Sequence, residues 1–90
     1  MAPREYSAPV TATQRMISEI WISLLGVRQA GLTDSFFELG GHSLLAMRAA
    51  SEISFRTGRN IEPRLLFFRT LGQLAEACDT PDTVPAASRA

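Results

Sequence analysis

One stretch, residues 34–45, constrains the fold more than any other part of the chain. It reads Asp-Ser-Phe-Phe-Glu-Leu-Gly-Gly-His-Ser-Leu-Leu. Asp34 can accept hydrogen bonds from the backbone N–H groups that follow it, which predicts a short helical turn over residues 35–39. At least one of Phe36 and Phe37 should be buried, because both rings are large and apolar. The paired glycines then predict either a positive φ that closes the turn or a bare backbone that another molecule can approach closely.

Ser43 follows the glycines at the first turn of the next predicted helix, which runs from Leu44 to about Thr57. The first turn of a helix has N–H groups without intrahelical partners and a partial positive charge. A phosphate attached there is favoured electrostatically. We infer that a phosphodiester on Ser43 would suit this position.

The run from Asp34 to Leu45 resembles the signature of phosphopantetheine-bearing carrier domains. It is most similar to the peptidyl carrier (thiolation) domains of non-ribosomal peptide synthetases, and the resemblance covers about residues 8–78. In that family the serine that matches Ser43 carries a 4'-phosphopantetheine arm, which a phosphopantetheinyl transferase attaches from coenzyme A. The resemblance implies that the arm holds aminoacyl or peptidyl groups as thioesters. It further implies adenylation, condensation, thioesterase or tailoring enzymes as partners, and no catalytic residue in the carrier itself.

Three residues around Ser43 are candidates for recognition by partner enzymes, namely His42, Leu44 and Met47. Leu44 and Met47 fall at spacings that leave them beside Ser43, outside the helix face that reaches the core. They would form a small apolar patch, and in the resembling family this helix is the main surface that partners contact. The alternative is that both complete the core. His42 stands where the family has His or Asp, so its alternatives are partner recognition and a plain exposed loop residue.

Helical spacing of apolar residues predicts three further helices. Thr11 followed by Gln14 has the pattern of a capping box at the start of the first. A short third helix is predicted over residues 64–68, mostly buried because nearly all its residues are apolar, and Thr70 is expected to cap a last helix over residues 71–78. The expected fold is therefore all-α, a small four-helix bundle like that of acyl carrier proteins. The predicted core stripe of the first helix consists of Ile17, Ile20, Trp21, Leu24 and Leu25.

Composition narrows the class of protein and its partners. With 90 residues the chain has room for one domain, and we expect a flexible linker over residues 1–9, a carrier domain over residues 10–78, and a disordered tail or outgoing linker over residues 79–90. Nine acidic and nine basic residues balance, so charge gives no reason to expect nucleic acid or membrane as a partner. A single cysteine and a single histidine exclude an internal disulfide and a zinc site of Cys and His ligands. We expect no metal site and a monomeric, cytoplasmic protein.

Other functions fit the sequence less well. A serine hydrolase with His42 as general base is disfavoured, because adjacent residues at a helix start are poorly placed for a nucleophile–base hydrogen bond. In addition, Leu45 stands where the motif Gly-x-Ser-x-Gly needs glycine. An acyl or aryl carrier of a polyketide or siderophore pathway stays open. A helical interaction module without a prosthetic group explains the helices but not the glycine pair before Ser43.

Overall fold

The computed structural model describes residues 6–79. The predictions of a linker over residues 1–9 and a tail over residues 79–90 therefore lie largely outside the described residues, and they stay predictions. Within the described part the chain is helical, and its β-structure is a single isolated bridge between Ser35 and Thr70. The expected all-α bundle is confirmed, with four helices in the order α1 (Ala12–Leu25), α2 (Ser43–Thr57), α3 (Leu65–Phe68) and α4 (Leu71–Asp79).

The first helix begins where the capping box predicts. The Thr11 hydroxyl oxygen accepts from the Gln14 N–H at 3.0 Å, and the Gln14 side chain accepts from the Thr11 N–H at 3.0 Å. These two bonds use backbone donors that a helix start otherwise leaves unpaired. Behind the cap, Trp21 is fully buried. The predicted stripe is thus part of the core, although Leu24 and Leu25 are only half-buried.

The second helix packs against the first with a face of small residues. Ala46, Ala49 and Ala50 are buried together with Ile53. Alanine has almost no side chain beyond its Cβ, so these positions let the backbones of neighbouring helices lie close together. The helix ends at Gly58, which has a φ of 74°.

The third helix corrects one prediction. Its dense apolar run was expected to be mostly buried, yet only Leu66 is fully buried. Phe67 is 46% exposed and Phe68 is 77% exposed. The physical reason is length: a helix of four residues makes a single turn, and one turn can direct only one side chain into the core while the others point sideways or outward.

Hydrogen bonds join the start of the fourth helix to the long loop before α2. Thr70 caps α4 as predicted, because its hydroxyl oxygen accepts from the Gln73 N–H at 3.3 Å. The first N–H groups of α4 donate outward to the loop, from Leu71 to the Asp34 carbonyl at 3.0 Å and from Gly72 to the Leu32 carbonyl at 2.9 Å. The start of α4 is thereby fixed to the segment that leads to Ser43. The buried residues of α4 are Leu71, Leu74, Ala75 and Cys78.

Ser43 lies at the end of the bundle opposite to the one where α1 begins and α4 ends. The Thr13 hydroxyl donates to the Asp79 carboxylate at 2.6 Å, so the start of α1 meets the end of α4. Thr57, the last residue of α2, lines the same surface groove as these two residues. Ser43 begins the 15-residue α2 and therefore lies about 22 Å from this end, at the opposite side of the domain.

Candidate functional site

Ser43 is exposed and is the first residue of α2. His42 precedes it as the N-cap, with extended backbone (φ −144°, ψ 179°), and the His42 side chain makes no capping hydrogen bond. The first intrahelical bond runs from the Ala46 N–H to the His42 carbonyl at 2.8 Å. The N–H groups of the first turn before Ala46 are therefore available to an outside acceptor. An exposed hydroxyl beside free N–H groups at a helix start fits a phosphodiester.

Gly40 and Gly41, the two glycines before this helix, are required for different structural reasons. Gly40 has a φ of 107°, which side chains other than glycine rarely allow. Gly41 has no such conformation, but a Cβ there would overlap the ring of Phe36. Its N–H also donates to the Phe36 carbonyl at 3.0 Å. Gly40 thus has the predicted positive φ, whereas the space that Gly41 leaves open is occupied by Phe36 of this chain and not by another molecule.

Aromatic rings anchor the turn in the core. Phe36 is fully buried, and its ring meets Trp21 edge to face with centroids 5.3 Å apart. Phe37 is half-buried and stacks on Phe67 of α3 with centroids 4.4 Å apart and an angle of 19° between the rings. The prediction that at least one of the two phenylalanines is buried is confirmed. The turn before Ser43 is fixed on one side to α1 and on the other to α3.

Asp34 anchors the same loop in a way that the sequence analysis did not foresee. Its carboxylate accepts from the Gly31 N–H, which precedes it in the chain, at 2.7 Å. The carboxylate is buried, and its backbone carbonyl holds Leu71 of α4. The sequence predicted that Asp34 accepts from the backbone N–H groups that follow it, and the folded loop brings the preceding Gly31 N–H within reach as well.

The three candidate recognition residues all lie on the surface. Leu44 is 62% exposed and Met47 is 57% exposed, and His42 is exposed as well. The alternative that Leu44 and Met47 complete the core is therefore wrong. The exposed face of α3, formed by Phe67 and Phe68, was not predicted. The available signal was the length of that helix, since one turn cannot bury four large side chains.

Charged groups near the site form no metal centre. Among residues 6–79 no cluster of His, Cys, Asp and Glu side chains is arranged to hold a metal ion. The Glu52–Arg56 ion pair of α2, at 3.0 Å, has both side chains 45% exposed and lies toward the far end of the helix. Ser43 itself is exposed at the start of α2.

Comparison with known proteins decides the family. The family model described as "Phosphopantetheine attachment site" matches residues 15–78. The chain belongs to this family. The match includes most of α1, the whole turn that precedes Ser43, all of α2 and α3, and α4 except its last residue. The predicted family and the predicted cofactor class, 4'-phosphopantetheine, are confirmed.

Individual relatives of this phosphopantetheine-attachment domain are much longer proteins. Surfactin synthase subunit 1 of Bacillus subtilis (strain 168) is 44% identical over 75 residues, which are 82% of this chain and 2% of that protein. Among solved structures, a peptidyl carrier protein in complex with the phosphopantetheine transferase Sfp and coenzyme A matches with a TM-score of 0.77 and 35% identity, covering 81% of this chain and 96% of the other. The A-PCP structure of McyG with phenylalanyl-adenylate also has a TM-score of 0.77, at 28% identity, covering 84% of this chain and 12% of the other.

These similarities identify the attachment domain as a carrier of the kind found in non-ribosomal peptide synthetases. The acyl or aryl carrier of another pathway is therefore the weaker alternative. No described helix has the length and apolar character needed to cross a membrane. Which residue holds the arm, and which residues partners recognise, stay predictions at this point.

Proposed function

We propose that this carrier domain holds aminoacyl or peptidyl groups as thioesters on a 4'-phosphopantetheine arm attached to Ser43, and that it catalyses no reaction itself. The observation that supports the residue assignment is the position of Ser43. Its hydroxyl is exposed at the start of a 15-residue helix whose first N–H groups are free, directly after a turn anchored in the core. A displayed serine needs an outside catalyst, which agrees with a role as substrate and carrier.

Attachment would be a phosphoryl transfer with coenzyme A as the second substrate. The Ser43 oxygen attacks the β-phosphorus of coenzyme A, the bond from that phosphorus to the adenosine 3',5'-bisphosphate group breaks, and the serine proton passes to a base of the transferase. The free N–H groups of the first turn of α2 favour the negative charge of the resulting phosphodiester. The attached arm supplies a thiol that forms the thioester. We assign the base and Mg²⁺ to the transferase, which agrees with the lack of a metal-holding cluster among residues 6–79.

The proposed partners are a phosphopantetheinyl transferase and the adenylation, condensation, thioesterase or tailoring enzymes of a peptide synthetase. Similarity to a carrier solved with a transferase and to a carrier joined to an adenylation domain supports the first two. We propose that His42, Leu44 and Met47 form the surface that these partners recognise. A cytoplasmic, monomeric protein stays part of the proposal.

The decisive experiment is intact-protein mass spectrometry after incubation with coenzyme A, Mg²⁺ and a broad-specificity transferase. The parent chain should gain one phosphopantetheine, and the Ser43→Ala variant should gain none. Ser51→Ala is the matched control, because Ser51 is also exposed on α2 but lies two turns away. It should be modified as fast as the parent. Modification of the Ser43→Ala variant would disprove the assignment, and circular dichroism would establish that this variant is folded.

A further inference from the structure

The segment before α1 is held by specific contacts. The carbonyl of Ser7 accepts a hydrogen bond from the Leu32 N–H at 2.8 Å. Next to it, Gly31 has a bare backbone: a Cβ there would lie 2.8 Å from Cδ1 of Tyr6 and 2.8 Å from the Ser7 carbonyl oxygen. Carbon atoms in ordinary contact are about 3.5–4.0 Å apart. Residues 6 and 7 therefore fit a surface that only glycine leaves open.

The surface that receives this segment is a fixed part of the domain. The Gly31 N–H is bonded to the buried carboxylate of Asp34 at 2.7 Å. The Leu32 carbonyl accepts from Gly72 near the start of α4 at 2.9 Å. The residues that contact Tyr6 and Ser7 thus belong to the loop that leads to the turn before Ser43. While Tyr6 and Ser7 contact this loop, their position is fixed relative to the turn before Ser43.

Residues 6 and 7 lie away from the end of the domain at which α1 begins. Thr13 contacts Asp79 at the end of α4, at the side of the domain opposite Ser43. Gly72 lies at the other end of the nine-residue α4, about 10 Å nearer to the Ser43 side. Because Leu32 is bonded to Gly72, the contact of Ser7 with Leu32 places residues 6 and 7 on that side. The five residue-to-residue steps from Tyr6 to Thr11 can span at most about 17 Å, which is enough for this path.

We propose that residues 6–10, which we call the strap, dock reversibly on Gly31 and Leu32 and thereby set where the preceding polypeptide leaves the domain. In the docked state that polypeptide leaves beside the loop that leads to Ser43. In the released state it leaves from the start of α1, with up to about 17 Å of additional free chain. The two states would give this carrier two ranges of reach relative to any domain that precedes it.

The contacts are weak enough for release. With Gly31 and Leu32 the strap makes one backbone hydrogen bond and the packing contact of the Tyr6 ring, and Tyr6 is still 45% exposed. Val10 is 66% exposed, and its N–H donates to the Gln14 side chain of α1 at 2.7 Å, a bond that does not involve the loop. A single hydrogen bond with a half-buried ring opens far more often than the whole domain unfolds. The strap does not involve Ser43, so its test is independent of whether the arm is attached.

The test is amide hydrogen exchange measured by NMR on the unmodified chain. The Leu32 N–H, bonded to Ser7, reports the strap, and the Gly72 N–H, bonded to the Leu32 carbonyl, reports the loop itself. Gly31→Ala introduces the overlapping Cβ and should lower protection of Leu32 at least tenfold while Gly72 changes less than twofold. Tyr6→Ala removes the ring and adds nothing to the loop, so it should act in the same direction. Tyr6→Phe, the matched control, should keep the parent protection.

Three outcomes would overturn the proposal. An unprotected Leu32 amide in the parent chain would mean that the strap is not docked. Unchanged Leu32 protection in Tyr6→Ala would mean that the ring does not hold the segment, and this variant decides the case even if Gly31→Ala disturbs the loop. Equal loss of protection at Leu32 and Gly72 in Tyr6→Ala would mean that the contact stabilises the loop and has no separate released state.

The position of the preceding polypeptide is measured separately. Spin labels at positions 2 and 51, in a Cys78→Ala background, report the distance from the chain before the strap to α2. Gly31→Ala should broaden this distance distribution and move its mean relative to the same labels in the parent sequence. Identical distributions would contradict the claim that the strap sets where the polypeptide leaves.

Discussion

Gly41 is the residue on which the geometry before Ser43 depends most directly. A single added carbon at this position overlaps the Phe36 ring, and that ring is packed on Trp21. Neither ring can move without disturbing the core, because protein interiors have little free volume. The requirement for glycine here therefore comes from packing, whereas at Gly40 it comes from a φ of 107°.

Gly41→Ala should lower the free energy of unfolding by about 1–3 kcal/mol, the usual cost of forcing an extra carbon into a packed site. Urea unfolding measures this change. It should also slow attachment of the arm to Ser43, because relief of the overlap must move the turn. Ser51→Ala is the surface control and should stay within about 0.5 kcal/mol of the parent. Unchanged stability in Gly41→Ala would mean that the Phe36 ring is not fixed in the core.

Cys78 should be a slowly reacting thiol. Burial raises the pKa of its thiol, the neighbouring charge of Asp79 raises it further, and Arg59 acts in the opposite direction. Because the thiolate is the nucleophile, alkylation by iodoacetamide at neutral pH should be much slower in the folded chain than in denaturant, and should accelerate as pH rises through the raised pKa. In the modified protein the arm thiol should react first. Mass spectrometry that finds equal rates in folded and unfolded chains would contradict a buried thiol.

The same pKa shift has a defined effect on stability. The folded state binds the Cys78 proton more tightly than the unfolded state does. Its contribution to stability is therefore complete below the unfolded pKa of about 8.5 and is lost as pH rises through the higher folded value. Cys78→Ala should remove this part of the alkaline loss of stability.

Substitution of Leu44 or Met47 tests recognition by partner enzymes, because neither side chain belongs to the core. Leu44→Ala and Met47→Ala should each slow modification by a transferase severalfold and leave the free energy of unfolding within about 0.5 kcal/mol of the parent, because both side chains are more than half exposed. Phe55→Ala is the matched control. Phe55 is 85% exposed on the same helix but lies three turns from Ser43. Equal slowing in all three variants would contradict a recognition surface near Ser43.

At the scale of helices, local signals in the sequence were sufficient where a helix is long or well capped. Thr11 and Gln14 fix the start of α1, and Thr70 fixes the start of α4, because each cap is a bond between residues three positions apart. Such bonds depend on local spacing alone. The third helix was placed one residue too early and its burial was overestimated. The orientation of Phe67 and Phe68 depends on contacts with distant residues, which a single sequence does not reveal.

The stack of Phe67 on Phe37 should couple α3 to the turn before Ser43. Phe67→Ala should lower stability by about 0.5–1.5 kcal/mol beyond the loss of buried area, the usual contribution of an aromatic pair. Amide exchange in Leu65–Phe68 should become faster while α1 and α4 keep their protection. Phe68→Ala is the control, because Phe68 is 77% exposed and should have a smaller effect. Faster exchange throughout the domain would mean that α3 is not a separate unit.

At the scale of the whole molecule, the serine motif and the order of helices were predictable. The hydrogen bonds between distant segments of the chain were not. The family signature lies within twelve consecutive residues, so one sequence suffices to recognise it. By contrast, Leu32 contacts Ser7 on one side and Gly72 on the other, partners separated from it by 25 and 40 positions. No spacing rule relates such positions, and only folding brings them together. The hydrogen bond between Leu32 and Ser7 of the strap is one of these long-range contacts.

The hydrogen bond between Thr13 and Asp79 also has a mechanical consequence. It joins the first turn of α1 to the last residue of α4, so once the strap is released, tension applied to the two ends of the domain acts at one place. Such a load peels α1 from α4 one turn at a time, because the helices separate from a shared end and do not slide past each other over their full length. We expect the domain to yield at low force when its neighbours pull on it, and to re-form from that same end when the tension falls.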